Sequence, residues 1–402
     1  MDLSTTWEGA MQRDVLVVYG TRPEAIKLAP VVRALRDDPG LRPVVAVTGQ
    51  HREMLDQVNG LFGIEPDVDL DLMRHGASVS AITRAVLESL EQVLEERRPE
   101  AVVVQGDTTS AFAASYAAFL AGCRVVHVEA GLRTGDLRSP FPEEANRRLT
   151  SVLADLHLAP TPAARDNLLA EGVDPRTVLV TGNTVIDALH WVVEQPVPFS
   201  DPALARLDDA RDLVLVTTHR RESWGGPMRQ AMEGLREVAE AHPELDLVLP
   251  MHRNPVVRDA VEQTLGSLPN VVLTEPLAYA EFAHVMRRAR LVVTDSGGVQ
   301  EEAPGLAKPV LVLRDTTERP EGVHAGVVRL VGTDRARVVE EVERLLRDPA
   351  AYAAMAQAVN PYGDGQAAPR CVGALRALLG LGPMPDPFDA GAQQQSLAAG
   401  AR

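Results

Sequence analysis

Three carboxylates in the first half of the chain stand where side chains could act as acids or bases. Asp107 and Glu129 follow short apolar segments, and Glu143 follows a polar loop. Burial of a carboxylate without a partner is costly, so a carboxylate at such a position must be paired or do chemistry. If the three side chains converged beyond neighbouring strands, they would suit abstraction and return of a proton.

Two of these carboxylates also have a purely structural interpretation. Asp107 could cap the helix that follows it, which is a common role for aspartate. Glu143 could favour the start of a helix after Pro142, where negative charge is stabilising. His127 shares a strand face with Glu129 and is interpreted as structural. Both kinds of role remain open for Asp107 and Glu143.

A basic turn near the N-terminus could bind an anionic group. The segment Val15–Tyr19 runs into Gly20, and a glycine there lets the backbone turn close to a ligand. Arg22 then lies near a helix N-terminus, whose N–H groups favour an anion, and Lys27 follows one turn later. The alternative is an ordinary turn with solvated charges. Neither the dinucleotide-binding glycine pattern nor the P-loop pattern occurs in the sequence.

The second half carries a basic loop of another kind. His219, Arg220 and Arg221 follow the apolar segment Leu213–Thr217. A histidine beside two arginines is a candidate diphosphate site, in which His219 could protonate or hydrogen-bond a leaving phosphate oxygen. A solvated basic loop is the alternative. A second basic strand end contains Asn254, and the histidine spacing in both loops does not fit zinc.

The strongest local pattern is the turn Ser296–Gly298 between a strand and a helix. Small residues with free N–H groups at a helix start can hold a diphosphate. Glu302 lies in the first turns of that helix and could accept both hydroxyls of a ribose. This combination suits a nucleotide site that lacks the usual dinucleotide pattern.

Three further segments are weaker candidates. Pro276 and Leu277 could flank a base, and the polar loop that contains Arg319 is too polar for a core. Gln50 and His51 lie in a turn after a strand and could line the same ligand, or could be ordinary polar residues at a helix start.

The elements that must position these residues alternate between strands and helices. The strand candidates are nearly continuously apolar, which indicates parallel strands covered on both faces. Two series of about six strands imply two doubly wound α/β domains, in which ligands bind beyond the carboxyl ends of the strands. Two such domains facing each other would enclose a cleft. The predicted strands are Val15–Tyr19, Val44–Val47, Ala101–Gln105, Arg124–Val128, Leu156–Ala159, Val178–Val180, Leu213–Thr217, Leu245–Pro250, Val271–Leu273, Leu291–Thr294, Val310–Leu313 and Val327–Leu330.

Domain boundaries follow from composition. The polar residues 1–13 are expected to be a disordered lead, and the Gly-, Pro- and Gln-rich residues 380–402 a disordered tail. The seam between the domains is expected after residue 195, where prolines end a helix. The first domain is therefore placed at 14–195 and the second at 196–359.

Composition excludes several classes of protein. The 402 residues carry a net charge of −16, which argues against a general nucleic-acid or anionic-membrane binder. No apolar run reaches the roughly 18 residues of a membrane helix. Cys123 and Cys371 give neither a disulfide framework nor zinc spacing, so a cytoplasmic setting is the simpler one. The Asp69-Leu-Asp71 triplet is discounted as a metal site, because such triplets are common by chance.

The motifs, taken in order, resemble one known family. They are GTRPEAIK (20–27), QHREM (50–54), GDTTS (106–110), HVEAGLRTGD (127–136), PEEANR (142–147), GNTVIDAL (182–189), HRRES (219–223), TDSGGVQEEAP (294–304), RDTTERPE (314–321) and NPYGDG (360–365). The chain is similar over about residues 15–379 to the non-hydrolysing UDP-N-acetylglucosamine 2-epimerases.

This resemblance implies a GT-B-like pair of Rossmann domains, with UDP held mainly by the second and with 360–379 crossing back to the first. It implies a homodimer and a reversible conversion of UDP-GlcNAc to UDP-ManNAc without metal or NAD. UDP would be eliminated to give 2-acetamidoglucal and then added back. The catalytic residues implied are Asp107, Glu129, Glu143 and His219. The implied UDP-sugar ligands are Arg22, Lys27, Gln50, His51, Arg133, Arg147, Asn183, Arg220, Asn254, Pro276, Leu277, Ser296, Gly297, Gly298, Glu302 and Arg319.

Other functions remain to be separated from this one. A hydrolysing epimerase would let water trap the same intermediate, and a GT-B glycosyltransferase would share the UDP site but need an acceptor. A non-catalytic UDP-sugar sensor would have no use for the three carboxylates. In some bacterial relatives a second UDP-GlcNAc activates the enzyme. Glu53 stands where some regulated relatives carry Gln, and Thr218 stands where many relatives carry Gly, so the resemblance does not imply this activation here.

Overall fold

The computed structural model describes residues 12–49, 52–72 and 76–391. Within these residues the chain forms two compact units. Unit 1 comprises the described residues up to Ala188 together with Gly365–Phe388. Unit 2 comprises Leu189–Asp364 and the described residues after 388.

Unit 1 is built on one parallel sheet. Its strand order is β3-β2-β1-β4-β5-β6-β7, and every neighbouring pair is parallel. The chain therefore reverses its winding direction between β1 and β4, which is where doubly wound sheets bind ligands. The strands are β1 (Arg13–Tyr19), β2 (Leu41–Val47), β3 (Val68–Asp69), β4 (Ala101–Gln105), β5 (Arg124–Val128), β6 (Leu156–Ala159) and β7 (Val178–Val180), and the helices are α1 (Arg22–Arg36), α2 (Arg52–Phe62), α3 (Val79–Arg97), α4 (Thr109–Leu120), α5 (Glu143–Leu153), α6 (Pro162–Ala170) and α7 (Thr184–Glu194), whose last turns belong to unit 2.

Unit 2 repeats the same plan with six strands. Its order, β10-β9-β8-β11-β12-β13, is again parallel throughout and reverses between β8 and β11. The strands are β8 (Leu213–Thr217), β9 (Asp246–Pro250), β10 (Val271–Thr274), β11 (Leu291–Thr294), β12 (Val310–Val312) and β13 (Val328–Leu330), and the helices are α8 (Pro202–Ala205), α9 (Gly226–Ala241), α10 (Pro255–Leu265), α11 (Tyr279–Arg288), α12 (Gly297–Gly305), α13 (Pro320–His324), α14 (Arg335–Arg347) and α15 (Pro349–Ala356).

Both faces of the unit 2 sheet are covered, which explains why its strands are apolar without alternation. Val214 and Val216 pack into one core with α9 and α14. Leu213 and Leu215 point the other way, into a core with α11 and α12. The predicted fold class of two Rossmann-like doubly wound domains is confirmed, and each predicted strand is present to within three residues at either end.

The final helix, α16 (Ala367–Leu378), belongs to unit 1. The buried carboxylate of Asp187 accepts hydrogen bonds from the N–H groups of Ala367 (3.2 Å) and Ala368 (2.8 Å) at the start of α16. Those N–H groups have no partner within the helix, and negative charge is favoured there. Arg376 near the other end pairs with Asp38 at 2.8 Å.

The prediction of a disordered tail from residue 380 is wrong for its first part. Phe388 is buried, and its N–H donates to the Val180 carbonyl at 2.8 Å. The Arg370 guanidinium lies 5.6 Å from the centre of its ring. The aromatic ring buries a large apolar surface against unit 1, which favours order in a stretch whose composition is otherwise typical of disorder. At the other end, Arg13 begins β1, and residues 1–11 lie outside the described residues.

Candidate functional site

The candidate residues of unit 1 follow the carboxyl ends of its central strands. Gly20 follows β1, Asp107 follows β4 and Glu129 follows β5, and these three strands are neighbours in the sheet. Only glycine fits at position 20 without a shift of its neighbours, because a Cβ there would lie only 2.1 Å from the Thr48 hydroxyl oxygen. The backbone of the first turn can therefore pass close to the end of β2.

Glu129 occupies a strained and heavily hydrogen-bonded position. Its φ of +62° is left-handed, a conformation that costs a residue with a Cβ about 1–2 kcal/mol. Its carboxylate lies 2.5 Å from the Lys27 ammonium and 3.1 Å from the Asn183 amide nitrogen, and it also accepts from Gln105. Backbone strain of this kind is concentrated at functional sites. The carboxylate is nearly buried, so its charge depends on these donors.

Asp107 is paired with Arg147 from α5. The Arg147 Nε atom lies 3.1 Å from Asp107 Oδ2, and a second guanidinium nitrogen contacts the same oxygen. Burial raises the pKa of Asp107, and the neighbouring Glu129 raises it further, whereas Arg147 and Lys27 lower it. Asp107 and Glu129 are thus close enough to influence one another, and they share the field of Lys27.

Glu143 and Glu144 follow one another but differ in role. Glu144 is fully buried and accepts from the N–H groups of Thr134 (3.1 Å) and Gly135 (3.3 Å) and from Arg147 (3.0 Å). The Glu143 carboxylate has no hydrogen bond to the described residues and stands at the first position of α5. The structural role that the sequence leaves open for one glutamate is therefore met by Glu144, and Glu143 keeps its carboxylate available.

Two predicted cations of unit 1 have different surroundings. Arg22 is exposed at the first position of α1, with no ion pair among the described residues. Arg133 is almost enclosed, and it holds Glu171 through two nitrogens (2.9 and 2.7 Å) and Ser151 at 3.0 Å. The structure therefore places Arg133 in a separate ion pair and not beside Asp107.

His127 lies inside unit 1. It is fully buried on β5, and its Nε2 atom lies 2.7 Å from the Gly106 carbonyl oxygen. Burial lowers the pKa of His127 to about 4, which the hydrogen bond to Gly106 only partly offsets. The ring is therefore neutral and fixes the turn that carries Asp107.

In unit 2 the candidate residues follow β8 and β11, which are neighbours in the sheet. His219 follows β8, and its Nδ1 atom lies 2.9 Å from the carboxylate of Asp295, which follows β11. The other Asp295 oxygen accepts from the N–H groups of His219 (2.8 Å) and Arg220 (2.9 Å) and from the Thr218 hydroxyl (3.0 Å). One buried carboxylate thus holds the whole histidine loop.

Arg220 points toward the start of α12. Its guanidinium pairs with Glu318 at 2.6 Å, and Arg314 holds the other Glu318 oxygen at 2.6 Å. The pKa of Glu318 is about 2, because the hydrogen bonds and charge of the two arginines outweigh its partial burial. A Cβ at Gly297 would lie 3.0 Å from Glu318 and 3.6 Å from Arg220, so the glycine makes room for this pair at the helix N-terminus.

The turn before α12 has the geometry of an anion site. Ser296 is the N-cap residue, but its side chain makes no cap hydrogen bond. The Ser296 N–H donates to Thr294 Oγ1 at 2.9 Å, and a Cβ at Gly298 would lie 3.5 Å from the Glu302 carboxylate. Small residues therefore leave the helix N-terminus approachable, with Arg220 and Glu302 on its borders.

Comparison with known proteins identifies the family. Residues 33–376 match the family model described as UDP-N-acetylglucosamine 2-epimerase. The UDP-N-acetylglucosamine 2-epimerase of Escherichia coli K12 is 53% identical over 369 residues, which are 90% of this chain and 98% of that protein. The chain belongs to this epimerase family.

Two further relatives extend the likeness. The UDP-N-acetylglucosamine 2-epimerase of Bacillus subtilis is 48% identical over 89% of this chain and 93% of that protein. The crystal structure of the Neisseria meningitidis UDP-GlcNAc 2-epimerase, bound to UDP-GlcNAc, has a TM-score of 0.80 and 46% identity, and it covers 91% of this chain and 100% of that chain.

Most of the remaining predicted residues lie in unit 2. Asn254 caps α10 by accepting from the Val256 N–H at 2.9 Å, and Arg319 pairs with the buried Glu301. Leu277 packs against one face of the core, whereas Pro276 is exposed. Gln50 and His51 lie outside the described residues.

Several supporting residues were missed by sequence reasoning. Gln105 holds Glu129, Asp295 holds His219, and Glu24 accepts from the N–H groups of Gly20 (3.1 Å) and Thr21 (2.7 Å). Glu24 had a usable signal, because threonine followed three residues later by glutamate is the capping-box pattern. Asp295 had a weaker one, as an acidic residue directly after an apolar strand.

No three His, Cys, Asp or Glu side chains of the described residues are grouped in a way that could hold a metal ion. The described helices also include none that is both long and apolar enough to cross a membrane.

Proposed function

We propose that this chain interconverts UDP-GlcNAc and UDP-ManNAc reversibly, without releasing the free sugar. Family membership supports the substrate, since a relative with 46% identity is described as bound to UDP-GlcNAc. The observation that supports the chemistry is Glu129, whose backbone is left-handed and whose carboxylate is held by Lys27 and Asn183 close to Asp107.

In this proposal unit 2 binds the nucleotide. The turn Ser296–Gly298 and Arg220 would hold the diphosphate, because N–H groups at a helix start and a guanidinium both favour phosphate oxygens. Glu302 would accept the ribose hydroxyls. Pro276 and Leu277 would flank the base, and Asn254 and Arg319 would line the nucleotide.

Unit 1 is proposed to act on the sugar. Inversion at C2 requires loss of a weakly acidic C–H with no carbonyl beside it. When the bond between C1 and the diphosphate oxygen breaks, its electron pair leaves with UDP, and the positive charge that develops on the ring makes the C2 proton more acidic. Asp107, Glu129 or Glu143 takes this proton, and the C–H electron pair forms the C1–C2 double bond of 2-acetamidoglucal.

The reverse steps complete the reaction. A carboxylic acid returns a proton to C2 on the opposite face, and a diphosphate oxygen adds to C1. His219 and Arg22 would stabilise the diphosphate while it is detached, since charge-assisted donors act most strongly where charge develops. Lys27, Arg147 and Asn183 would hold the carboxylates in the ionisation states that the two proton transfers need.

Proton NMR of purified protein with UDP-GlcNAc tests this proposal. We expect UDP-ManNAc to accumulate to an equilibrium mixture and the same mixture to form from UDP-ManNAc. Free ManNAc and UDP in equal amounts would identify a hydrolysing epimerase instead. UDP-GlcNAc that stays unchanged while UDP binds would support a sensor and contradict the proposal.

We also propose that the protein forms a homodimer through one face of unit 1. The adjacent helices α4 and α5 expose Tyr116, Phe119, Leu120, Leu149 and Val152, and Val152 is 83% exposed. Clustered apolar side chains on neighbouring helices are typical of a protein interface. Light scattering should give the mass of two chains, and Val152→Glu should give the mass of one. Val256→Glu, at an exposed valine of α10 in unit 2, is the control. A monomeric wild type, or a Val152→Glu dimer, would contradict the interface.

A further inference from the structure

The carboxylate of Asp295 is buried, and its close partners all belong to one loop. The residue is fully buried at the end of β11. One oxygen faces the His219 ring at 2.9 Å, and the other accepts from Thr218 and from two backbone N–H groups of the histidine loop. All of these partners belong to the loop after β8.

A helix-capping role does not explain this residue. The N-cap position of α12 belongs to Ser296, one residue further on, and the carboxylate of Asp295 points across to the neighbouring strand end. A buried carboxylate that were not needed there would be expensive, because removing a charge from water costs several kcal/mol or more. The loop that carries His219 therefore depends on a charge from another strand.

The contact also determines the form of the imidazole. A carboxylate beside Nδ1 favours a proton on that nitrogen, since an ionised carboxylate only accepts hydrogen bonds. Burial tends to raise the pKa of Asp295, but the hydrogen bonds from His219 and from the Arg220 N–H lower it overall, so the carboxylate is ionised at neutral pH. The His219 side chain is 41% exposed, which leaves Nε2 accessible to a ligand.

We propose that Asp295 is a positioning residue for His219, which it holds with Nδ1 protonated and Nε2 directed to the diphosphate oxygen that leaves C1. This inference rests on the proposed function. The form of the ring that acts is the imidazolium, which carries a proton on both nitrogens. When the C1–O bond breaks, Nε2–H gives its proton to the leaving oxygen, and the ring becomes neutral with Nδ1 still protonated; the Asp295 carboxylate stabilises the imidazolium form. When UDP adds back to C1, the proton returns to Nε2.

The variant Asp295→Asn separates positioning from folding. The asparagine oxygen can keep the three loop contacts, but its NH₂ group then faces Nδ1 and cannot accept the Nδ1 proton, so the imidazolium form loses its stabilising partner. We expect kcat to fall by about 10²-fold or more, with the Kd for UDP changed by less than about threefold. In the double variant Asp295→Asn/His219→Asn, kcat should fall by the same factor as in His219→Asn alone, because Asp295 acts only through the His219 ring.

Asp246→Asn is the matched control. Asp246 is a buried aspartate at the amino end of β9, whereas the histidine loop lies at the carboxyl ends of the strands. It pairs with Arg211 at 2.9 Å. It should lower stability without changing kcat. Equal kcat losses in Asp246→Asn and Asp295→Asn, or additive losses in the double variant, would show that Asp295 supports only the fold.

The tautomer can be measured in the wild type, so the proposal does not depend on a folded variant. Ring ¹⁵N shifts of the His219 side chain, assigned with His219→Asn, should show a protonated Nδ1 in the free protein. A neutral ring with only Nε2 protonated would overturn the proposal. This measurement needs no turnover, so failure of the epimerase assay and failure of the positioning role are distinguishable.

Discussion

The two units place their candidate residues at the same point of the same fold but arrange charge in opposite ways. In unit 1 the residues beyond the central strands are carboxylates, Glu129 and Asp107, each held by a cation. In unit 2 the residues that follow β8, the strand that corresponds to β1 of unit 1, are His219 and Arg220, each held by a carboxylate. The parallel sheet provides the position in both units, and the buried partner decides what chemistry is possible.

This difference is the basis for proposing different roles for the two units. A carboxylate with a nearby ammonium and a second carboxylate can exchange protons, because its ionisation responds to its neighbours. In unit 2, acids of the same unit hold His219 and Arg220 in place before a diphosphate binds. Changes to the carboxylates of unit 1 should therefore affect turnover, and changes to the residues of unit 2 that are proposed to contact UDP, such as Arg220, should affect nucleotide binding.

The largest effect is expected from the unit 1 carboxylates. Glu129→Gln and Asp107→Asn should each lower kcat by about 10²–10⁴-fold, because a positioned acid or base is removed. The Kd for UDP, measured by calorimetry, should stay close to the wild-type value, since unit 2 is proposed to bind the nucleotide.

Two surface variants of unit 1 are matched to these changes. Glu88 and Asp166 lie in exposed ion pairs with arginines, and Glu88→Gln and Asp166→Asn should leave kcat unchanged. If Glu129→Gln or Asp107→Asn kept the full rate, that residue would be removed from the catalytic set.

A smaller effect is expected from the unit 2 arginine. Arg220→Ala should weaken UDP binding by roughly 10- to 100-fold, which is the value of a lost charge-assisted contact. Titration calorimetry with UDP measures this change without any need for turnover.

Glu318→Gln tests whether the weaker binding of Arg220→Ala comes from a lost contact between Arg220 and UDP or from the broken ion pair between Arg220 and Glu318. It removes the same 2.6 Å pair but keeps the guanidinium, so UDP should bind at least as tightly as to the wild type. Arg335→Ala, which breaks an exposed pair with Glu237 in the same unit, should have no effect. Equal weakening in Arg220→Ala and Glu318→Gln would contradict a phosphate contact.

The smallest effect concerns stability, and it should have opposite signs in the two units. The pKa of His127 in unit 1 is lowered to about 4 by burial, so its stabilising contribution is present above the unfolded pKa and is lost as the pH falls. Between about pH 7.5 and about pH 5.5 this loss is about 1 kcal/mol. Urea unfolding at both pH values should show a shallower loss of stability in His127→Gln.

His242 in unit 2 provides the contrasting case. Burial lowers the pKa of His242, but the hydrogen bonds that the ring donates to Glu244 and Glu343 outweigh this effect and raise it overall. Its contribution is therefore present at low pH and lost as the pH rises. His242→Gln should make the loss of stability on acidification steeper, and the same slope in both variants would contradict the assignment of these two histidines.

The strands were largely predictable from the sequence, and the contacts within the sites were not. Continuous apolar runs such as Ala101–Gln105 mark parallel strands because both faces are buried, and these runs match the observed bounds. Strand β3 was missed, since its two residues, Val68 and Asp69, carry no apolar run. The tail was misjudged because one phenylalanine, Phe388, outweighs a composition typical of disorder.

Site residues were predictable as types at strand ends, but their partners come from distant segments. Lys27 and Asn183 are predicted ligand residues, and the structure adds that both contact Glu129, which lies far from both in sequence. Asp295 was visible only as part of a glycine-rich motif, and its partner His219 is 76 positions away. Such pairings follow from strand order, which no local pattern contains.

The central claim is that a carboxylate of unit 1 removes the C2 proton and that a proton from solvent is returned to the other face. Incubation of the protein with UDP-GlcNAc in D₂O, followed by proton NMR, tests this claim most directly. The account predicts that UDP-ManNAc carries deuterium at C2 and that recovered UDP-GlcNAc gains it as equilibrium is approached. UDP-ManNAc that forms with a full proton at C2 would contradict it.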